Sequence, residues 1–312
     1  MKDCTYNKNQ TPLLRDILIN LASGMDAGTP YYRFGEAPLV EAANAIGFAV
    51  AIQHRFWSVV DDQLVPQFYK LAGGELVKPS NHINDRTEEV LLSNPSFFSP
   101  TNPDLGSRVW FSEWMGLNSE AFIPDFEERA VIVQDFADKV ASVDGGVARL
   151  WDDLAGNVWA LYLILDTTTG YNDPDHHKKG NLLVKMMEDH GFWTVQNRTE
   201  LAPPLDYHLI NIAVKTGLVD IQNADLRNRL ANRRVLTDTQ AAELRLACRD
   251  AYQELTKTVD PWKLDSILWS LSRGLCYNAE PSCAECPLDT ACKSSVGGEL
   301  RHSFPAIFTT AF

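Results

Sequence analysis

Four cysteines close together carry the plainest chemical signal in the 312-residue sequence: Cys276-x6-Cys283-x2-Cys286-x5-Cys292. Thiolates are soft ligands for Zn²⁺ and for iron–sulfur clusters, and four of them within seventeen residues satisfy either group on ligand count. The spacing is neither the paired C-x2-C…C-x2-C of a zinc ribbon nor the C-x2-C-x2-C-x3-C-P run of a bacterial ferredoxin. The other two cysteines, Cys4 and Cys248, have no partner at ligand spacing. Cys248 shares a helical face with Leu244, Ala247 and Tyr252 and reads as a core residue.

A second constellation lies upstream, in Pro203-Pro204-Leu205-Asp206-Tyr207-His208-Leu209. Two prolines block a helix, and Asp206 then stands as an N-cap for the apolar-periodic segment Leu209–Leu218. An aspartate before a helix is often no more than a cap, so chemistry at Asp206 needs a further argument.

The elements that must hold these residues are mostly helices. Apolar positions recur at helical spacing in Leu13–Leu21, Ala42–Val60, Phe126–Val143, Ala148–Leu165 and Asn181–His190, whereas strand alternation is scarce. The proline-bearing stretch Lys78–Leu105 reads as loop-rich. Thr237 and Gln240 form a capping box for a helix running to about Thr256. Asp260-Pro261 starts another, which ends by delivering Cys276 into a loop.

The cysteine spacing is the C-x6-C-x2-C-x5-C loop that closes the endonuclease III family of DNA glycosylases, and the chain resembles that family there. The flanking residues agree, from Ile267-Leu268-Trp269-Ser270-Leu271-Ser272-Arg273-Gly274-Leu275-Cys276 to Cys283-Ala284-Glu285-Cys286-Pro287. Leu205-Asp206-Tyr207-His208 likewise resembles the family's V-D-T-H segment, whose Asp is the catalytic carboxylate. The resemblance covers about Leu205 to Cys292. It implies an all-α fold of two helical domains, with a structural [4Fe–4S] cluster on Cys276, Cys283, Cys286 and Cys292; a zinc knuckle is the alternative. It also implies Asp206 as the carboxylate facing the positive charge that builds on a sugar as its N-glycosidic bond breaks. His208 then orients the segment.

The sequence departs from the family in two places. The Gly-x-Gly hairpin that holds a DNA phosphate has no counterpart before Asp206, since Asp173–Asn181 contains a single glycine. Lys185 is the nearest match to the lyase nucleophile but at a different spacing, so a monofunctional glycosylase is expected. Lys178–Val184 with Leu205–Leu209 and Thr216-Gly217 is also similar, more weakly, to the queuosine-salvage glycosylases. That likeness implies the same bond cleavage on a small modified nucleoside or nucleotide. A catalytically inactive nucleic-acid-binding relative is the third reading.

Substrate contacts are expected from Tyr207, Trp193 and Gln53, and from a basic face including Lys179 and Arg273. Arg227, Arg229, Arg233 and Arg234 form the one dense basic cluster, which with Lys178 and Lys215 could meet phosphate or be a solvated helix face. A balance of 28 basic against 41 acidic side chains, net −13, excludes a general polyanion binder and confines any nucleic-acid contact to such a local patch. Met1–Gln10 is polar and the longest apolar runs are too short to span a bilayer, so a cytoplasmic protein with no membrane partner is expected. Three segments are expected: residues 1–30 packing on a cluster domain, 31–218 as a glycosylase-like helical domain, and 219–312 as the cluster domain.

Overall fold

The computed structural model describes residues 2–25, 32, 34–117, 121–196, 198–276, 280–295 and 297–309. The protein is mostly helical, with twelve α-helices and three two-stranded sheets among the described residues. It divides into two compact units. One, the cysteine unit, comprises Met1–Ala27, Val59–Val65 and Asn197–Phe308; the other comprises Gly28–Ser58, Pro66–Gln196 and Thr309–Phe312. The division therefore falls near residue 197 rather than at 218, and it places the helix that follows Asp206 with the four cysteines.

The cysteine unit begins with β1 (Cys4–Tyr6) and α1 (Thr11–Ser23), which buries Leu14 and Leu18. Proline at the first turn of α1 is tolerated because no backbone N–H is needed there.

The second unit is built around α2 (Leu39–Ala51), buried throughout from Ala42 to Ala51. A helix apolar on every side must be surrounded. The Phe48 ring accordingly meets Trp110 and Phe136 at 4.9 Å, with Trp114 at 6.2 Å and Phe98 at 6.3 Å. The helix expected to reach Val60 stops at Ala51 instead, and the chain forms β2 (Trp57–Val60), paired with β3 (Gln63–Pro66), a hairpin of which Val59–Val65 belongs to the cysteine unit. Asp61 and Asp62, at φ 49° and 64°, supply the two left-handed residues of a tight hairpin turn. β4 (Tyr69–Lys70) pairs antiparallel with β5 (Leu76–Val77). The stretch read as loop then contains α3 (Pro79–Ser93), because Pro79 stands in the first turn and starts a helix there. After α4 (Arg108–Trp114) and α5 (Phe126–Ala141), the run expected as one helix is two, α6 (Gly146–Asp153) and α7 (Val158–Leu165). Ala155 and Gly156 turn left-handed between them, and the Asn157 side chain caps α7. α8 (Lys178–Asp189) completes this set.

The chain then returns to the cysteine unit with α9 (Tyr207–Thr216), closed by Gly217 at φ 73°. β6 (Val219–Ile221) pairs antiparallel with β1, Cys4 opposite Ile221. α10 (Ala224–Ala231) follows, then α11 (Asp238–Thr256), which opens on the capping box of Thr237 and Gln240. α12 (Pro261–Leu271) starts from the Asp260 cap. α1 packs on α11 and α12, and Leu18, Leu209, Leu244, Leu255 and Leu264 are all buried in this unit. Among the described residues no helix is long and apolar enough to cross a membrane.

Candidate functional site: the four-cysteine loop and the Asp206 helix

α12 runs on as a π-helical turn, Ser272–Cys276, that carries Cys276 out of the helix. Cys283 opens a short 3₁₀ turn, Cys283–Glu285, and Cys286 and Cys292 each stand just after such a turn. Ser282 N–H donates to the Leu275 carbonyl at 2.9 Å, Cys286 N–H to Cys283 at 2.9 Å and Cys292 N–H to Asp289 at 3.2 Å. These bonds fold the loop back on itself. All four thiols are partly exposed and none is in a disulfide.

The thiols lie close enough to feel one another. Burial first, and then the charges of the other three, push the Cys292 thiol up to about 11. Cys276 and Cys286 are also raised, again by burial first. Four neighbouring thiolates repel, and a cation in their midst removes that penalty, which is how metal binding and thiol ionisation are coupled. The all-sulfur donor set on three short turns fits a metal–tetrathiolate group in its chemistry. Among the described residues, no three His, Cys, Asp or Glu side chains are already converged on one ion position.

Asp206 sits at the N-terminus of α9 with extended backbone. Its Oδ1 accepts from the N–H groups of His208 at 2.8 Å and Leu209 at 3.1 Å, so it is a cap in fact. Its side chain is half-buried. The neighbouring Tyr207 ring lies 4.4 Å from His208 and 5.7 Å from Phe304. His208 is buried, with Nδ1 3.2 Å from Ser272 Oγ, and Asn211 Nδ2 donates to the same oxygen at 3.4 Å. The start of α9 is thereby fastened to the π turn. Arg273, exposed on that turn, lays its guanidinium 4.8 Å over the Trp269 ring, which stands edge-on to His208 at 5.7 Å. Asp206, Tyr207, Arg273 and the four cysteines thus belong to one unit.

Sequence reasoning missed Ser272, Asn211 and Trp269 as the parts that join them. Asn211 carried a readable signal, a polar residue on the apolar face of α9, where it is completely buried.

Gln53, Lys179, Lys185 and Trp193 belong to the other unit. Gln53 Nε2 donates to Asn84 Oδ1 at 3.0 Å, and Tyr32 Oη donates to the same oxygen at 2.9 Å. The Tyr32 ring in turn stacks on Phe34, which lies 4.6 Å from His190, itself stacked on Phe192. Lys185 is paired with Asp189 at 3.2 Å, one turn along α8, so its amine is engaged rather than poised as a nucleophile.

Three expectations are corrected by burial. Lys179 is 1% exposed and cannot reach a phosphate: its amine donates to the carbonyls of Ala51 at 2.7 Å and Gly170 at 2.8 Å, and lies 3.3 Å from His54 Nδ1. Burial, then neighbouring cations, hold that amine well below the usual lysine range. Trp193 is 2% exposed and stacks on Trp151 at 4.8 Å, so it is core rather than a platform for a base. Lys215, grouped with the basic face, is likewise buried and donates to the Cys276 carbonyl at 2.6 Å.

The arginine cluster is occupied by its own surroundings. Arg229 meets Asp225 at 3.3 Å, Asp62 at 3.5 Å and the Val235 carbonyl at 2.7 Å. Arg227 donates to the Ile221 carbonyl, and Arg233 to that of His302 at 2.9 Å. Arg234 is exposed.

Neither a protein-family model nor a curated protein matches the chain.

Proposed function

We propose that the chain is a cytoplasmic N-glycosylase related to the endonuclease III family, hydrolysing the base–sugar bond of a damaged or modified nucleotide in DNA. Repair, or defence against phage with modified DNA, is its setting. The observation that carries this reading is the shared scaffold of α9, which begins at Asp206 and is fastened at both ends to the segment bearing the four cysteines.

Asp206 Oδ1 is fixed by two backbone N–H groups, and among the described residues nothing hydrogen-bonds Oδ2. An ionised carboxylate held this way faces a sugar without reorganising. It stabilises the positive charge that develops on the sugar as the C1′–N bond breaks and its electron pair leaves with the base. It also takes a proton from the water whose oxygen forms the new bond to C1′, while the departing base nitrogen takes a proton from solvent and Asp206 afterwards returns its own to solvent. The ion pair of Lys185 with Asp189 supports hydrolysis over lyase chemistry. Cys276, Cys283, Cys286 and Cys292 would hold a [4Fe–4S] cluster, or zinc in its place; fully ligated by four thiolates, such a group supplies a rigid anchor and no open coordination position. Tyr207, beside Asp206, and the exposed Arg273 would contact the substrate.

One observation favours a second reading, cleavage of a small modified nucleoside in place of a polymer. Arg227, Arg229 and Arg233 are tied to carboxylates and carbonyls, which leaves the net charge of −13 with little local basic surface to offset it.

Mass spectrometry of bases released from DNA pools with natural, damaged and hypermodified bases, and from a panel of free nucleosides, tests both. A base released by the wild type and not by Asp206→Asn establishes the reaction, and the pool it comes from identifies the substrate. Absence of release from every pool by protein carrying its full metal complement refutes the glycosylase reading.

A further inference from the structure

We propose that Lys215 is the positioning residue of the tetrathiolate centre, tying the cysteine loop to the last turn of α9 and supplying the positive charge that an anionic metal–thiolate group requires there. This rests on reading the four cysteines as metal ligands.

The contact is built from both sides. Lys215 is 2% exposed, and its Nζ donates to the Cys276 carbonyl at 2.6 Å. Its own carbonyl, in the last turn of α9, accepts from Cys292 Sγ at 3.3 Å and from Ser294 N–H at 3.0 Å. The first and last cysteines of the loop are therefore both held by this one residue. Gly217 closes the seam: a Cβ built there would come within 2.3 Å of the Lys293 side chain.

The electrostatics call for a cation at this position. The C-terminal end of a helix carries a partial negative charge of roughly half an electron. Four thiolates around Zn²⁺ or a [4Fe–4S]²⁺ core leave a net charge of about −2. Pressing those two against each other at a half-buried seam is unfavourable unless a positive group lies between them. The Lys215 amine on the Cys276 carbonyl and the Lys215 carbonyl on the Cys292 thiol put this side chain at that seam.

The test compares wild type with Lys215→Met, Lys215→Gln and Lys215→Arg, each full-length and reconstituted with iron and sulfide or, separately, with zinc. Three quantities are read without reference to enzymatic activity: metal bound per chain, the rate at which a chelator removes it, and the melting temperature of loaded and metal-free forms. Loss of a partner to a metal's ligand shell weakens metal binding about 10- to 100-fold. Lys215→Met should therefore release metal at least about tenfold faster, and Lys215→Arg should recover most of the difference. Lys215→Gln keeps a hydrogen-bond donor without the charge, and it should resemble Met. The metal-free form of Lys215→Met should itself melt lower, because the Cys276 carbonyl loses its partner, and the proposal requires a clearly larger drop in the loaded form. Equal chelator resistance in Lys215→Met and wild type overturns the proposal. So does a drop in melting temperature that is the same with and without metal, because that is a packing defect. A wild-type chain that takes up neither iron nor zinc overturns the tetrathiolate reading itself.

Discussion

Asp206 has two roles that one pair of substitutions separates. As a cap, its Oδ1 satisfies two N–H groups at the start of α9. Replacing such a cap with alanine costs about 1 kcal/mol, within a range of roughly 0.5–2, because both donors lose their partner. Asparagine is as good a cap as aspartate and loses only the charge at the helix N-terminus, about 0.3–1 kcal/mol for a partly exposed group. For a unit the size of the cysteine unit, 1 kcal/mol is about 2–4 °C in melting temperature. Asp206→Ala should therefore lower the transition by a few degrees, and Asp206→Asn by little. Catalysis ranks the variants differently. An amide cannot stabilise a developing cation or take a proton from water, so both variants should lose about 10²–10⁴ in single-turnover rate. The assay is base release under single-turnover conditions, set beside differential scanning calorimetry on the same preparations. Asp206→Asn with wild-type rate and wild-type stability would refute the reasoning, since it would reduce Asp206 to its capping role.

Other outcomes follow from burial and charge. Cys4 is 2% exposed and raised to about 12, by burial before the nearby acidic Glu243 and Asp3, so at pH 8 only roughly one part in 10⁴ is thiolate. Because Cys4 and Cys248 are buried and the four loop cysteines are partly exposed, alkylation of metal-free protein followed by peptide mapping should label the loop first; loading with metal should protect it, and labelling unaffected by metal would count against the loop as ligand. His54 and His82 are buried and held neutral, their protonation suppressed by burial first. With folded values below the unfolded one of about 6.5, the unfolded chain binds more protons in acid, and stability should fall as pH drops below about 6.5. Urea titrations between pH 7.5 and 5 should show a limiting slope of up to about 1.4 kcal/mol per pH unit for each of these histidines, and a flat profile would contradict their neutral burial. Lys179→Met strands the carbonyls of Ala51 and Gly170, at about 1–3 kcal/mol each before the relief of removing a buried charge. Denaturant unfolding should therefore show a loss of about 2–4 kcal/mol, while the salt dependence of any nucleic-acid retention should stay as in the wild type.

What was legible in the sequence was whatever depends on neighbours along the chain. The capping box at Thr237 and the Asp260-Pro261 start both appear where short-range hydrogen bonding demands them, and Gly217 ends α9 because a left-handed residue is needed there. Local signals misled where one residue serves two purposes. Pro79 reads as a breaker and starts a helix, and the last residues of the helix expected over Ala42–Val60 are a strand, turned back by the left-handed Asp61-Asp62 pair just beyond it. The candidate site divides along the same line. Asp206 and the cysteine spacing are local and could be read; the fastening between them joins Asn211 and His208 to Ser272 across about sixty residues, and Lys215 to Cys276 across 61. Lysines were the hardest case, because periodicity assigns them to solvent. Lys179 and Lys215 instead sit in the interior, each donating to backbone carbonyls that the bend of the chain brings to it. A lysine is hard to bury without a reason, since its ammonium must be matched by acceptors or by negative charge. At Lys179 the matching group is a ring of neutral acceptors, which makes it part of the framework. Lys215 instead touches the cysteine loop at both its first and last cysteine, and if those cysteines ligate metal as proposed, its tie to them should gain strength only when the centre is assembled.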